Sequence, residues 1–320
     1  MESGGIERQF VIEGIILTII GIIGIIGNIG AVFHFAHHKR FKHRFYALML
    51  VLSLIDILVI SSFIWFCSVP EFMDSTRSSL HWSLWIYPIL NTLVTASIFL
   101  TVAISLDRYL AICKPFWYHV STWRLKHVLL PIFIFSIIYN IPRYFELEWI
   151  NLSISDVPFM KVWPTKLRRN PTYVECYTLW SHIIILGALP MVLLMVLNLM
   201  TMKEMTKYKG FHIGDKKEHK EREIQINMVH INIAIVVVFI ICHSFIQIPS
   251  VYHVYQLNDR RRNNPERVTD WEHKDLIQTL TEISQIMVVF NSSVNFYVYL
   301  IKRKIKQKMD QKEISLQTNC

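Results

Sequence analysis

Charged side chains are scarce in this sequence. Only 18% of its 320 residues are Asp, Glu, Lys or Arg, whereas 52% are hydrophobic, and a soluble domain carries roughly 25% charged residues. The apolar residues stand in long blocks instead of at amphipathic spacing, which excludes a soluble multidomain enzyme as the first interpretation. The first ten residues lack the basic start and small-residue cleavage site of a signal peptide, so we expect the first apolar block to be an uncleaved membrane helix.

Seven apolar blocks are long enough to cross about 30 Å of hydrocarbon, which takes about 20 helical residues. They lie near 11–36, 45–70, 83–106, 127–145, 177–202, 227–251 and 276–301. A basic amphipathic stretch at 302–310 follows and is expected to lie along the inner leaflet. The sequence therefore predicts an all-α fold, with one seven-transmembrane helix bundle over residues 1–320 and a short amphipathic cytoplasmic helix.

The basic residues are distributed unevenly between the two sides of this bundle. With the amino terminus outside, 21 of the 33 lysines and arginines fall in segments that face the cytosol, as the positive-inside rule requires. The net charge of +9 therefore indicates orientation and attraction to anionic lipid, and not nucleic-acid binding. We expect a multi-pass plasma-membrane protein with an extracellular amino terminus.

Two charged sites interrupt the apolar blocks. Asp56 is predicted at mid-membrane, where a carboxylate marks a functional site by default. Asp107 and Arg108, followed by Tyr109, end the third block where its helix leaves the bilayer. Three histidines near the end of the first block have spacings that could bind a metal, but such residues more often sit at headgroup level, so we expect no metal site; they are His34, His37 and His38.

The motif L-x-x-D-R-Y-x-x-x-x-x-P that ends at Pro115 resembles the cytoplasmic end of the third helix in rhodopsin-like G-protein-coupled receptors. Further matches agree in order, spacing and membrane side: Gly27-Asn28, Asp56, Pro190, Phe239-x-x-Cys242 and Asn295-x-x-x-Tyr299. The segments CHSFIQIPSVY and FNSSVNFYVYL resemble invertebrate receptors for FMRFamide-like neuropeptides.

The resemblance implies a receptor without enzymatic activity, which binds an extracellular amidated neuropeptide and activates a heterotrimeric G protein. Agonist binding would move the sixth helix outward and release Arg108. The residues implied in G-protein coupling are Asp107, Arg108, Tyr109, Phe116 and Tyr299. Gln225 stands where the family places an acidic partner for the arginine, which predicts appreciable basal signalling.

The resemblance also implies a polar pocket inside the bundle. Its members would be Asn28, Asp56, Ser97, Asn291 and Asn295. Buried polar groups need partners, so we expect water or a sodium ion there and no other cofactor.

A ligand pocket is expected between the outer ends of the helices. Its candidate residues are Leu90, Asn91, His243, Gln247 and Glu282. Leu90 replaces the aspartate of amine receptors, which argues against an amine, and the absence of lysine between Lys274 and Lys302 excludes an opsin. A peptide ending in Arg-Phe-amide brings a positive charge; of the acids at the outer side, Glu282 is the first choice of partner.

Two covalent features are predicted on the outer side. Asn151 begins an N-glycosylation acceptor, Asn-Leu-Ser. Ser83 replaces the cysteine that most family members bond to the second outer loop, so Cys176 is either a free thiol or pairs with Cys67.

Three other interpretations compete. A seven-helix membrane hydrolase would need its histidines to converge with Asp56 on zinc, but they are predicted at different depths. A transporter would show inverted repeats or broken helices, and none is visible. Within the receptor class, a chemosensory receptor for a small molecule is the main alternative.

Overall fold

The computed structural model describes residues 8–37, 44–72, 78–120, 124–154, 157–208, 226, 228–248 and 276–298. Seven long helices, α1 to α7, make up most of them, with the bounds Phe10–Ala36, Arg44–Phe72, Ser78–Cys113, Leu125–Phe145, 171–208, Met228–Ile248 and 276–298. Among the described residues, α1 to α6 are long and apolar enough to cross a membrane. The seventh helix is less apolar because it carries several Ser, Thr, Asn and Gln residues.

Four of these helices change their winding along their length. The π-helical stretches are Phe10–Ile16 in α1, Ile64–Ser68 in α2 and Val174–Ala188 in α5, and the last five residues of α4, Ile141–Phe145, form a 3-10 turn. The remaining parts are regular: Leu17–Ala36, Arg44–Phe63, Val69–Phe72, Leu125–Asn140, Pro171–Tyr173 and Leu189–Tyr208. Two short helices, Pro115–Val120 and Lys166–Arg169, lie between the long ones.

The segment between α4 and α5 contains a β-hairpin, which the all-α prediction lacked. Strand β1, Leu147–Ile154, pairs antiparallel with β2, Val157–Pro164, from Leu147 opposite Pro164 to Ile154 opposite Val157. Both strands are rich in aromatic and β-branched residues, which favour strands. From the sequence alone we expect a long outer loop over residues 146–173, and the hairpin corrects that expectation.

Glycines on α1 let it approach its neighbours closely. A Cβ atom at Gly24 would lie 2.0 Å from the Ser293 Oγ and 2.7 Å from the Ser293 Cβ of α7, and one at Gly27 would lie 2.8 Å from the Tyr297 ring. Small residues supply such contacts in lipid, where apolar attraction between helices is absent.

The bundle has an apolar outer surface and a partly polar interior. Large apolar side chains are exposed on the outer faces, for example Ile26 at 63% and Leu199 at 62%. Polar residues such as Asp56 and Asn232 are buried inside. This arrangement suits a protein whose surroundings are hydrocarbon, because its polar side chains point into the bundle and away from the apolar outer surface.

Candidate functional site

Asp56 is the centre of the polar interior. Its side chain is fully buried, and Oδ1 accepts a hydrogen bond of 2.9 Å from the Ser97 hydroxyl of α3, while Oδ2 accepts one of 2.8 Å from the Asn295 amide of α7. Ser292 of α7 lies close to this carboxylate. Three helices therefore meet at one acidic group.

Asn28 extends this polar pocket to α1. Its Nδ2 donates hydrogen bonds of 2.9 Å to the Gly24 carbonyl and to the Ser292 carbonyl of α7. The Asn28 Oδ1 has no hydrogen-bond partner among the described residues, and neither has the buried Oδ1 of Asn291, one turn before Asn295. Hydrogen bonds thus join three of the five predicted pocket residues, and Asn28 reaches α7 through the Ser292 carbonyl. Ser292 is a member of the pocket that the sequence analysis missed.

Arg108 lies buried at the inner end of α3. Its guanidinium forms a close ion pair with the Asp107 carboxylate, and its Nε is 3.2 Å from the Asp107 Oδ2. The Nη1 atom is 3.0 Å from the Met228 sulfur at the start of α6, and the guanidinium stacks 4.6 Å from the centre of the Phe45 ring. The arginine is therefore held against α2, α3 and α6 at once.

A second arginine binds the same aspartate. Arg44, the first residue of α2, places its Nε 2.5 Å from the Asp107 Oδ1 and its guanidinium 4.6 Å from the centre of the Tyr118 ring. The Tyr118 hydroxyl donates to the Asp107 Oδ1 at 3.3 Å. Burial and the charge of Asp107 raise the pKa of Tyr118 above its ordinary value, so the hydroxyl remains a donor at neutral pH.

The other predicted coupling residues are less enclosed. Phe116 is 82% exposed in the short helix that follows α3, and Tyr109 is half-buried on α3. Tyr299 and Gln225 lie outside the described residues, as does the predicted tail helix 302–310.

A hydrogen-bonded triad, here called the inner clamp, joins three helices in the half of the bundle that contains Arg108. Asn232 of α6 donates to the Asn198 Oδ1 of α5 at 2.9 Å and to the Ser105 hydroxyl of α3 at 3.2 Å. The Asn198 Nδ2 also lies 3.4 Å from the Ser105 hydroxyl. All three side chains are buried, so the clamp fixes α6 against α3 and α5.

The outer half of the bundle holds buried polar atoms without hydrogen bonds. His243 of α6 stacks on Phe239 with ring centres 3.9 Å apart, and Gln247 packs against Gly187 of α5. The Nδ1 atoms of His182 and His243 and both amide atoms of Gln247 have no hydrogen-bond partner within the described residues. Such groups are costly unless a partner satisfies them.

Glu282 of α7 is a buried acid in the same outer half. It is 1% exposed, and the Arg8 Nε lies 3.7 Å from its Oε2. That separation is too long for a hydrogen bond, and neither carboxylate oxygen has a hydrogen-bond partner among the described residues. The adjoining Gln9 is held by bonds of 3.0 Å to Glu71 and Gln278.

A second buried acid organises what we call the outer cluster. Glu146 is 1% exposed and lies 3.4 Å from the Arg143 Nη1 and 3.5 Å from the Arg168 Nη1. The hydroxyls of Tyr87 and Tyr173 donate to its two oxygens at 3.0 and 2.8 Å. One carboxylate therefore faces two guanidinium groups.

A cavity of about 650 Å³ adjoins the outer cluster. Ligand pockets typically measure about 300–1,000 Å³. Helices α2, α3 and α7 and the hairpin enclose this one, and its wall includes Trp65, Phe66, Tyr87, Arg168, Thr281 and Gln285. Of the predicted ligand residues, Leu90 is instead buried in the apolar core, and Asn91 donates to the Tyr87 carbonyl at 2.7 Å.

Cys67 and Cys176 are not bonded to each other. Both are free thiols, with Cys67 buried on α2 and Cys176 exposed on α5. Of the two alternatives left open by the sequence, the pairing is therefore wrong for this structure, because the two side chains occupy different environments. The backbone of Asn151 belongs to β1.

In the part of the chain that the structure describes, no group of three or more His, Cys, Asp or Glu side chains lies close enough together to bind a metal ion.

Taken together, the bundle is an integral membrane protein of receptor type, with a cavity at one end, a buried Asp-Arg pair at the other and polar side chains between them. The family model for the seven transmembrane receptors of the rhodopsin family matches residues 27–299. The chain belongs to that family. It is a multi-pass membrane receptor, and the prediction that it is not an enzyme is confirmed by this membership.

Three curated relatives are similar to the chain. An FMRFamide receptor of Drosophila melanogaster is 25% identical over 77% of this chain and 43% of the relative. The probable G-protein coupled receptor frpr-1 of Caenorhabditis elegans is 24% identical over 91% of this chain and 75% of the relative. The FMRFamide peptide receptor frpr-18 of the same nematode is 24% identical over 67% and 47%. The match thus spans less than half the length of the fly receptor.

Proposed function

We propose that the chain is a G-protein-coupled receptor for an amidated, FMRFamide-like peptide. Its amino terminus faces outward, and its buried Asp-Arg pair faces the cytosol. Two of the three relatives carry names that refer to FMRFamide, which supports this ligand class. Such a peptide ends in an arginine and a phenylalanine amide, so it presents one guanidinium next to an aromatic ring.

The main support for the proposal is that the carboxylate of Glu282 is buried and has no hydrogen-bond donor among the described residues. A buried carboxylate without hydrogen-bond donors is costly, and the ion pair with Arg8 at 3.7 Å does not supply a donor. A guanidinium from a ligand can donate two hydrogen bonds to one carboxylate. The peptide arginine would therefore satisfy Glu282 better than Arg8 does.

The decisive experiment measures G-protein activation in cells that express the chain, with a library of amidated peptides. We expect a peptide ending in Arg-Phe-amide to activate it, and Glu282→Lys to abolish or strongly weaken that response. Glu148→Lys is the matched control, because it makes the same charge reversal at a glutamate that is exposed on the hairpin. Unchanged potency in the Glu282 variant would remove the assignment of this residue.

Orientation is tested separately. Epitope tags at the two chain ends should be accessible on opposite sides of the plasma membrane, with the amino-terminal tag outside.

Glycosylation of Asn151 is tested with a glycosidase. The treatment should shift the electrophoretic mobility of the wild-type protein if Asn151 carries a glycan, and should not shift that of an Asn151→Gln variant.

Transmission to the cytosol would depend on the contacts that α6 makes near Arg108. The inner clamp and the contact of Met228 with Arg108 hold α6 inward. A ligand shifts a conformational equilibrium only by its differential affinity for the two states. Binding that favours an outward α6 would break these contacts and expose Arg108, with Asp107, Tyr109 and Phe116 around it, to a G protein.

The polar pocket around Asp56 suits a sodium ion. The hydrogen-bond donors to its carboxylate are the neutral side chains of Ser97 and Asn295, so neither of them balances the charge of the carboxylate when it is ionised. Asn28 and Asn291 each hold a side-chain oxygen without a hydrogen-bond partner among the described residues. Hard cations prefer oxygen ligands of these types. Replacement of sodium by choline should change agonist affinity in the wild type but not in Asp56→Ala.

A further inference from the structure

Arg168 is the only charged residue among the described residues that line the outer cavity. Its side chain is 41% exposed, so it remains accessible from the cavity. The rest of the wall is aromatic, aliphatic or neutral and polar. A ligand in this cavity therefore meets one positive charge.

The acid beside Arg168 does not neutralise it. Glu146 lies 3.5 Å from the Arg168 Nη1, but Arg143, which is 7% exposed, lies 3.4 Å from the same carboxylate. The hydroxyls of Tyr87 and Tyr173 also donate hydrogen bonds to the Glu146 carboxylate. The outer cluster thus contains two guanidinium groups and one carboxylate, which leaves a formal charge of about +1 at the cavity wall.

Helix α7, on another side of the cavity, carries a buried acid next to the residues that line the cavity. Thr281 and Gln285 of α7 line it, and Glu282 follows Thr281 directly in the chain. The ligand-binding region therefore carries an acid on α7 and an unbalanced base beside the hairpin. Complementary charges of this kind fix the direction in which a peptide binds.

We propose that Arg168 binds a carboxylate side chain of the peptide ligand, at a position before the cationic amidated end that Glu282 binds. The proposal rests on the function proposed above and adds a second charge to the ligand. The peptide then lies across the cavity with its amide end towards α7 and its acidic residue towards Arg168.

The test compares two probes, FMRFamide extended at its amino end by either aspartate or asparagine. Both probes are acetylated, so that they differ only in the carboxylate. On the wild-type receptor the aspartate probe should be about two- to fivefold more potent, the upper part of the range for an exposed ion pair. In Arg168→Gln this advantage should disappear, while the potency of the asparagine probe stays near its wild-type value.

Arg169→Gln is the matched control. Arg169 is the next residue of the same short helix and is exposed, and its variant should keep the preference for aspartate. Surface expression of each variant is measured by flow cytometry. An Arg168→Gln variant that misfolds is recognised by a weaker response to both probes, and the comparison on the wild type still tests whether the receptor prefers the carboxylate.

The outcomes separate the two proposals. Equal potency of the two probes on the wild type overturns the role of Arg168 and leaves the peptide receptor intact. A preference for aspartate that persists in Arg168→Gln also overturns it. If neither probe activates the wild type at high surface expression, the proposed function fails, and the assignment of Arg168 fails with it.

Discussion

The inner clamp should hold the receptor in its resting state, and Asn232→Ala tests this directly. The substitution removes the hydrogen-bonded contacts of α6 with two side chains, Asn198 at 2.9 Å and Ser105 at 3.2 and 3.4 Å. The contact between Asn198 and Ser105, at 3.4 Å, remains and links α3 to α5. The variant therefore loosens α6 selectively, and basal signalling should rise.

The size of the effect follows from the number of bonds lost. Hydrogen bonds between membrane helices contribute about 0.6 kcal/mol on average and up to about 1.7. Loss of two should shift the equilibrium by about 1–2 kcal/mol, which is roughly five- to thirtyfold. A receptor with about 1% of its molecules active at rest would then have roughly 5–20% active.

Asn140→Ala is the matched control for this prediction. Asn140 is also a buried asparagine, and it donates to the Thr95 hydroxyl at 2.9 Å and to the Ser136 carbonyl at 2.8 Å. These bonds join α4 to α3 and do not involve α6. Ligand-free reporter activity, divided by surface expression, should therefore rise for Asn232→Ala and remain at the wild-type level for Asn140→Ala.

Two results would refute the reasoning. One is an Asn232→Ala receptor that reaches the surface normally and shows no added basal activity. The other is an equal rise in both variants, which would indicate general loosening of the bundle. The double variant of Asn198 and Asn232 adds a further check, because residues that act as one unit give non-additive effects.

Three further outcomes follow from the structure. Gly24→Ala should destabilise the detergent-solubilised receptor by about 1–3 kcal/mol, seen as a lower melting temperature, because its Cβ would lie 2.7 Å from the Ser293 Cβ. Cys176→Ser should leave surface expression and peptide response unchanged, because Cys176 is a free thiol. Arg8→Gln should increase the potency of a peptide ending in Arg-Phe-amide, because Arg8 would no longer compete for Glu282.

Each of these has a control within the chain. Gly14→Ala should be tolerated, because its Cβ would lie at an ordinary 3.4 Å from the Glu71 Cβ. A loss of surface expression in Cys176→Ser would indicate that this thiol is bonded in the cell. For Arg8, the double variant with Glu282→Gln should show no gain in potency over Glu282→Gln alone; such a gain would show that Arg8 acts elsewhere.

The polar interior was largely predictable from the sequence because polar residues in membrane helices are rare. Asp56 and Ser97 stand in apolar blocks, and the family spacing relates both to Asn295. Asn232 carries the same signal, since it is a lone amide in an apolar run, and it could have been singled out on that ground. Ser292 could not, because serine is common in membrane helices.

Contacts between segments that are distant in the chain could not be predicted from the sequence. Arg44 and Asp107 are 63 residues apart, and their pairing depends on how α2 packs against α3. The hairpin was missed because its two eight-residue strands lie next to each other in a segment that connects two membrane helices, where we expect a loop. The pairing of Cys67 with Cys176 assumed that both thiols face a common space, which depends on the rotation of α2 and α5.

Helix α3 contains 36 residues, so at 1.5 Å per residue it is about 54 Å long, well beyond the hydrocarbon thickness. The same rod carries Tyr87 at the cavity, Ser97 at the central acid, Ser105 in the triad and Arg108 at the inner end. A small axial slide or rotation of this one rod displaces all four together. Communication across the membrane can then proceed by rigid-body movement, without a relay of individual side chains.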